Sequence, residues 1–216
     1  MIPCYTPQTM ESNLETILND FREKRALYEE FCLAMYKLLD SMLITEGCKY
    51  QIFYRIKELD KLEEKILRKE AEGIRYEKLE DLEDLAGLRI LFYIEADKNK
   101  FEKKLLTELT NEVSVTHHKK ISGYESTHVV ASFGEKRISL SEYSKFKDLK
   151  CEIQLTSILH HAWAEIEHDI IYKDTLGIKS DKHQRLYIKN AMQKILTNYL
   201  IKASTELNNL IKKIKK

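Results

Sequence analysis

The stretch from Cys151 to Lys173, CEIQLTSILHHAWAEIEHDIIYK, decides how the rest of the chain is read. Glu152, Ile153, Gln154 and Leu155 alternate polar with apolar, which predicts a strand carrying Glu152 and Gln154 on one face and Ile153 and Leu155 on the other. Thr156 or Ser157 then suits a helix start, because a hydroxyl there accepts a hydrogen bond from a free first-turn amide. Leu159, Ala162, Trp163, Ile166 and Ile170 recur at helical spacing, so the pattern predicts that they face a core, with His160, His161, Glu165, Glu167 and His168 at the edges or outside. A carboxylate on such a strand, backed by a helix, is placed to hold a metal ion or polarise a substrate. A half-exposed strand followed by an ordinary capped helix is the plain alternative.

Working back towards the N-terminus, Leu88, Ile90, Phe92 and Ile94 interleave with Arg89, Leu91 and Tyr93, which predicts a strand buried on both faces. Asp84 and Arg89 bracket its start, and Gly87 is expected to let the backbone turn tightly or approach something closely. Asp84 either caps a turn or shares a magnesium ion with Glu152, since magnesium is held by one or two carboxylates plus substrate phosphates. Further back, YQIFYRIK, residues 50–57, alternates Ile52, Tyr54 and Ile56 with Gln51, Phe53 and Arg55 and leads into a charged helical pattern. Lys57, Lys61 and Lys65 are spaced by four and share a helical face, with Arg55 projecting from the end of the strand. Such a row suits a polyphosphate; a solvated face laced with Glu58, Asp60, Glu63 and Glu64 explains it equally.

Apolar residues from Leu14 to Met42 mark a long amphipathic helix ending before Gly47, and those from Leu186 to Ile211 mark another. Residues 98–111 predict a further helix. The polar stretch 113–122, with His117, His118, Lys119 and Lys120, reads as a loop or a short strand with a loop. Tyr124 follows Gly123 at an expected loop tip, where a tyrosine either stacks on a flat base or is an ordinary loop aromatic. His128 is expected to open the next strand.

The chain of 216 residues predicts one domain, 1–216, with an N-terminal helix over 10–45, a core over 50–173 and a helical extension over 181–216. Its 36 basic and 35 acidic residues nearly cancel, so any basic site must be local. Cys4, Cys32, Cys48 and Cys151 form neither a CxxC pair nor a zinc pattern and read as reduced thiols. With no membrane-length apolar run and no signal-peptide pattern, a cytoplasmic protein with no membrane partner is expected. His160, His161 and His168 lack the spacing for a zinc site, and the His168-Asp169 pair lacks the further ligands of a metal-dependent hydrolase.

Four blocks in order resemble the synthetase domain of the RelA/SpoT family, in particular its small stand-alone synthetases. They are Arg55-Ile-Lys57 with Lys65, Asp84-Leu-Ala-Gly-Leu-Arg89-Ile, Gly123-Tyr124-Glu-Ser-Thr-His128, and Glu152-Ile-Gln154 followed by His161-Ala-Trp-Ala-Glu-Ile-Glu-His168 and Tyr172-Lys173. The resemblance implies an α/β (α+β) fold, a nucleotidyltransferase-like mixed β-sheet flanked by helices, with the long terminal helices added. It implies an ATP-dependent pyrophosphokinase using Mg2+, in which a ribose 3′-hydroxyl attacks the β-phosphorus of ATP and AMP leaves. Arg55, Lys57, Lys65 and Arg89, with Lys61 in their row, would bind ATP; Asp84 and Glu152 would hold the metal, Glu152 also helping to deprotonate the attacking hydroxyl. Tyr124 would stack on the acceptor base, and His128, Gln154 and His161 would line its pocket.

Three positions depart from the family pattern. Thr156 and Glu125 replace arginines, and Lys61 replaces a serine between the phosphate-binding lysines; Lys119 and Lys120 are the local candidates to compensate near the acceptor. The implied acceptor is GDP or GTP, giving (p)ppGpp-type alarmones. The 3′ end of tRNA, the acceptor of a toxic branch with antitoxin partners, and a degenerate nucleotide-sensing or partner-binding module are the alternatives. The long terminal helices suit a homo-oligomer or burial within one subunit.

Overall fold

In a computed structural model, the described residues are 7–109, 113–119, 125–172, 177 and 181–214. Helix α1 (Pro7–Thr45) leads into β1 (Tyr50–Ile56), α2 (Leu59–Ala71), β2 (Ala86–Phe92) and α3 (Glu95–Glu108). Then come β3 (Val113–Lys119), β4 (Glu125–Ala131), the short α4 (Glu135–Ile138), β5 (Cys151–Ser157) and α5 (Ile158–Glu167). Helices α6 (Lys182–Ile195) and α7 (Ile201–Ile214) are joined by a π-helical turn, Leu196–Leu200.

The strands form one five-stranded sheet in the order β1-β2-β5-β4-β3. Only the β2–β5 pair is parallel; β1–β2, β4–β5 and β3–β4 are antiparallel. Strand alternation gives the sheet two unlike faces. Ile90, Ile153, Leu155 and Val129 point into the core, where they meet Phe21, Phe31, Met35 and Leu39 of α1 and Phe101 and Leu105 of α3. Phe31, Met35 and Leu39 lie four apart, the spacing that keeps one helical stripe against the sheet. Gly47 ends α1 by taking φ +66, and Cys48 then donates its amide to the Leu43 carbonyl at 3.1 Å. An aromatic cluster of Phe31, Phe133, Tyr143 and Phe146 closes the core below β4.

Helix α5 begins as its sequence specifies, with Ser157 as the N-cap accepting from the His160 amide. Its buried stripe is rotated from the expected one. His160, Trp163 and Glu167 are buried, while Ala162 and Ile166 are exposed. The cause is a set of polar anchors on the inner face. His160 Nδ1 lies 3.0 Å from Ser157 Oγ and 3.8 Å from Glu95, and the Trp163 indole donates to the Met192 carbonyl at 2.9 Å. Trp163, Met192 and Leu196 make a small second core that fastens the C-terminal helices to α5.

Other boundaries also move. Residues 113–119 are a full strand, and His128 is the fourth residue of β4 rather than its first. Arg89 lies mid-strand on a half-exposed face, so β2 is not buried on both sides throughout. Among the described residues no helix is long and apolar enough to cross a membrane.

Candidate active site

The polar face of the sheet is built from two rows of side chains that run across the strands. Register places Phe53 of β1 opposite Arg89 of β2, Arg89 beside Gln154 of β5, and Gln154 beside His128 of β4. One pair further along lie Arg55, Gly87, Glu152 and Val130. Gly87 is therefore a strand residue rather than a tight turn. It leaves a gap between Arg55 and Glu152, across which the Arg55 side chain lies: a Cβ at Gly87 would sit 3.7 Å from Arg55 Cγ and Nε.

The rows line a cavity of about 260 Å³ whose walls include Phe53, Tyr54, Arg55, Asp84, Gly87, Leu88, Arg89, Glu152, Gln154 and His161. A hydrogen-bonded chain fixes its floor. Glu165 Oε1 accepts from Arg89 Nη1 at 3.2 Å, Arg89 Nε donates to Gln154 Oε1 at 3.1 Å, and Gln154 Nε2 donates to Glu152 Oε2 at 2.8 Å. The second Glu152 oxygen lies 2.8 Å from His128 Nδ1. An ionised carboxylate only accepts, so His128 carries its proton on Nδ1 in this contact.

Burial opposes ionisation of Glu152, but the hydrogen bonds and charge of His128, with Gln154, outweigh it and hold the pKa below the ordinary carboxylate value; the nearby Asp84 charge pulls the other way. Asp84 sits in the same cavity wall, bound by Lys57 Nζ at 2.9 Å and Lys65 Nζ at 2.7 Å. Burial again favours its neutral form, and the two lysines overcome that and lower its pKa. The His161 pKa is lowered, by burial first and then by the Arg89 charge.

The structure thus brings together Arg55, Lys57, Lys65, Asp84, Arg89, Glu152, Gln154, His128 and His161. Lys61 stands apart: it is exposed and paired with Glu64 at 2.8 Å, because Lys57 precedes α2 and so does not continue the helical row. Lys119 lies at the end of β3 opposite Glu125 in register, and its side chain is outside the described residues, as are Lys120 and Tyr124. Thr156 is buried. Sequence reasoning passed over Phe53, Tyr54 and Glu165. The alternation that put Arg55 on one face of β1 put Phe53 on it too; Glu165 had no such signal, since its partner Arg89 is 76 residues away.

Asp84 and Glu152 fit a divalent cation as a donor set. They are two carboxylates on one cavity wall, each with its pKa held low, beside space for phosphate oxygens. Among the described residues no three His, Cys, Asp or Glu side chains gather as a closed metal cage. Residues 54–176 match the family described as a region found in RelA / SpoT proteins. The chain belongs to the RelA/SpoT family. It is an enzyme of the nucleotide pyrophosphokinase class.

Among its relatives in this family is GTP pyrophosphokinase YwaC of Bacillus subtilis (strain 168), 25% identical over 179 residues, which cover 76% of this chain and 81% of that protein. GTP pyrophosphokinase YjbM of the same organism is 32% identical over 137 residues, 61% of each chain. The crystal structure of small alarmone synthetase 1 from Bacillus subtilis superimposes with a TM-score of 0.62 at 22% identity, covering 91% of this RelA/SpoT chain and 96% of that one. The same protein bound to its product pppGpp gives 0.57, again at 22% identity. These likenesses bear out the mixed α/β fold.

Proposed function

We propose that the chain transfers the β,γ-pyrophosphate of ATP to the 3′-hydroxyl of GDP or GTP, making (p)ppGpp-type alarmones. The observation that carries this reading is the convergence, on one cavity, of two carboxylates with a set of cations suited to a polyphosphate. Related proteins of the family carry the name GTP pyrophosphokinase, and a structural relative was crystallised with the ATP analogue AMPCPP.

In this reading the ATP phosphates lie along Lys57 and Lys65, which release Asp84 as they engage the phosphate oxygens. Arg55 and Arg89 hold the adenosine side. The acceptor approaches from the His128 and His161 side, with its 3′-oxygen at Glu152. Low pKa keeps Glu152 ionised, so it can accept the 3′-hydroxyl proton as the oxygen bonds to the β-phosphorus. The bond between the β-phosphorus and the oxygen bridging it to the α-phosphorus breaks, and AMP leaves with that oxygen. Asp84 and Glu152 would hold magnesium, which when bound would neutralise phosphate charge. Positioning and charge neutralisation dominate such transfer, which is why Gln154 and His128 matter: they fix the carboxylate through which the acceptor is oriented.

The test is transfer of label from γ-labelled ATP, with magnesium, to GDP, GTP or bulk tRNA in parallel. Label on a guanine nucleotide supports the proposal. Label on RNA alone would replace it with the toxin activity, which the loss of two arginines at Glu125 and Thr156 favours. ATP binding without transfer to any acceptor would leave a nucleotide-sensing module.

A further inference from the structure

Phe53 stands on the cavity wall with 52% of its surface exposed. Single exposed apolar side chains are common and need no explanation. This one differs in its surroundings. It pairs directly opposite Arg89, and it shares a strand face with Arg55 two residues on. Its neighbour Tyr54 is occupied, its ring packed edge-on against Tyr36 with centroids 5.5 Å apart. Among the described residues the Phe53 ring meets no aromatic partner.

The two arginines beside it are not equivalent. Arg89 is held at two of its nitrogens by Gln154 and Glu165, which fixes the guanidinium plane. Arg55 lies across Gly87 and makes no ion pair among the described residues. A fixed guanidinium, an unpaired one and an uncovered ring on one wall suit a planar heteroaromatic ligand that carries negative charge on one side. Lys57 and Lys65 lie beyond Arg55, towards Asp84, where that charge would be met.

We propose that Phe53 stacks on the base of the donor nucleotide and makes the enzyme prefer a purine over a pyrimidine donor. The proposal rests on the donor side of the function proposed above. A purine presents a larger ring system to the phenyl face than a pyrimidine does, so losing the ring penalises ATP more than CTP. Because Phe53 sits on the edge strand β1 and is half exposed, its replacement leaves the core intact.

The experiment measures equilibrium binding of non-hydrolysable ATP and CTP analogues, with magnesium, to the intact chain and to Phe53→Ala, Phe53→Leu and Phe53→Trp. Loss of one base–aromatic stack is expected to weaken the ATP analogue roughly tenfold or more in Phe53→Ala, and the CTP analogue, with its smaller ring, by a smaller factor. Leucine should fail to rescue and tryptophan should restore binding. In turnover, KM for ATP should rise with kcat and the acceptor KM unchanged. ATP binding equal to wild type in Phe53→Ala, equal weakening of both analogues, or full rescue by leucine overturns the proposal. A wild-type chain that binds no ATP analogue overturns the donor assignment itself, a separate failure that precedes any effect of the variants.

Discussion

Gln154 donates its amide to Glu152 at 2.8 Å while its carbonyl accepts from Arg89 at 3.1 Å, so one side chain links the carboxylate of β5 to the guanidinium of β2. Amide orientation is thereby fixed at both ends, and with it the position of the Glu152 carboxylate, whose other oxygen faces His128. Gln154→Leu removes both bonds at nearly constant volume. It should lower kcat by about tenfold, the effect of a lost charge-assisted hydrogen bond, while Glu152→Gln should lower it by about a thousandfold. Single-turnover transfer of label under saturating ATP measures both.

The pH dependence follows from His128. The Glu152 pKa is held below its ordinary value against the opposing effect of burial, and His128 is the largest contributor to that lowering. Activity that needs ionised Glu152 should therefore persist in wild type to pH values below the ordinary carboxylate range. His128→Ala removes the lowering interaction, so the folded-state pKa rises and the acidic limb of the kcat/KM profile must shift to higher pH. An unshifted limb would mean that another group sets it.

Lys57 and Lys65 clamp Asp84, whereas Lys61 pairs with Glu64 on the outer surface of α2. Lys57→Met and Lys65→Met should each weaken ATP by roughly tenfold or more, as expected of a charge-assisted contact of about 1.5–3 kcal/mol. Lys61→Met should change ATP affinity by less than about twofold, since exposed pairs contribute little. Titration calorimetry with a non-hydrolysable analogue separates the three.

Away from the cavity, Glu95 at the start of α3 accepts an ion pair from the buried Lys98 at 2.7 Å and faces His160 at 3.8 Å. Burial would raise its pKa, yet the bonds to His160 and Lys98 bring it down from 4.5 to about 2. A lowered folded-state pKa means that the stabilisation is present above the unfolded value and is lost as pH falls from about 4.5 towards 2. The shift corresponds to roughly 3 kcal/mol, an order-of-magnitude figure. Glu95→Gln should destabilise the fold by a similar amount at neutral pH and flatten the stability profile below pH 4.5, measured by urea unfolding across pH.

The indole of Trp163, the single tryptophan of the chain, ties α5 to α6 through the Met192 carbonyl and sits in the small core with Leu196. Trp163→Phe keeps most of the apolar area and loses the hydrogen bond, at a cost of about 1 kcal/mol; Trp163→Ala should cost about 3–5 kcal/mol. Hydrogen exchange should show faster opening of residues 182–214 than of the sheet, because those helices depend on few other buried side chains.

Much of the fold was legible from pattern. Period-two alternation fixes the faces of β1 and β5, pairing Glu152 and Gln154 on one face and placing Arg55 near the end of its strand. The long helices followed from spacing, and Gly47 marked a stop that its positive φ explains. The strand at 113–119 was obscured because its apolar alternation stops at Val113 and Val115 and gives way to the polar run from Thr116 to Lys119, and pairing with β4 supplies what the residues alone do not. The α5 stripe was misread because periodicity weighs Ile166 over His160, whereas Ser157 and Glu95 give the buried histidine polar partners.

The sequence by itself determined which faces of β1 and β5 carry polar side chains, where α1 stops, and, through four ordered motifs, the family. Only the tertiary structure decided which of them meet. Residues 55, 89 and 152 share a cavity because β1, β2 and β5 are neighbours in the sheet and the register sets Gly87 opposite both Arg55 and Glu152, with Asp84 on the same cavity wall just before β2. That register removes a side chain between Arg55 and Glu152 and aligns Arg89 with Gln154, and strand order is fixed by burial of the opposite face against α1 and α3, a long-range choice that local periodicity does not encode.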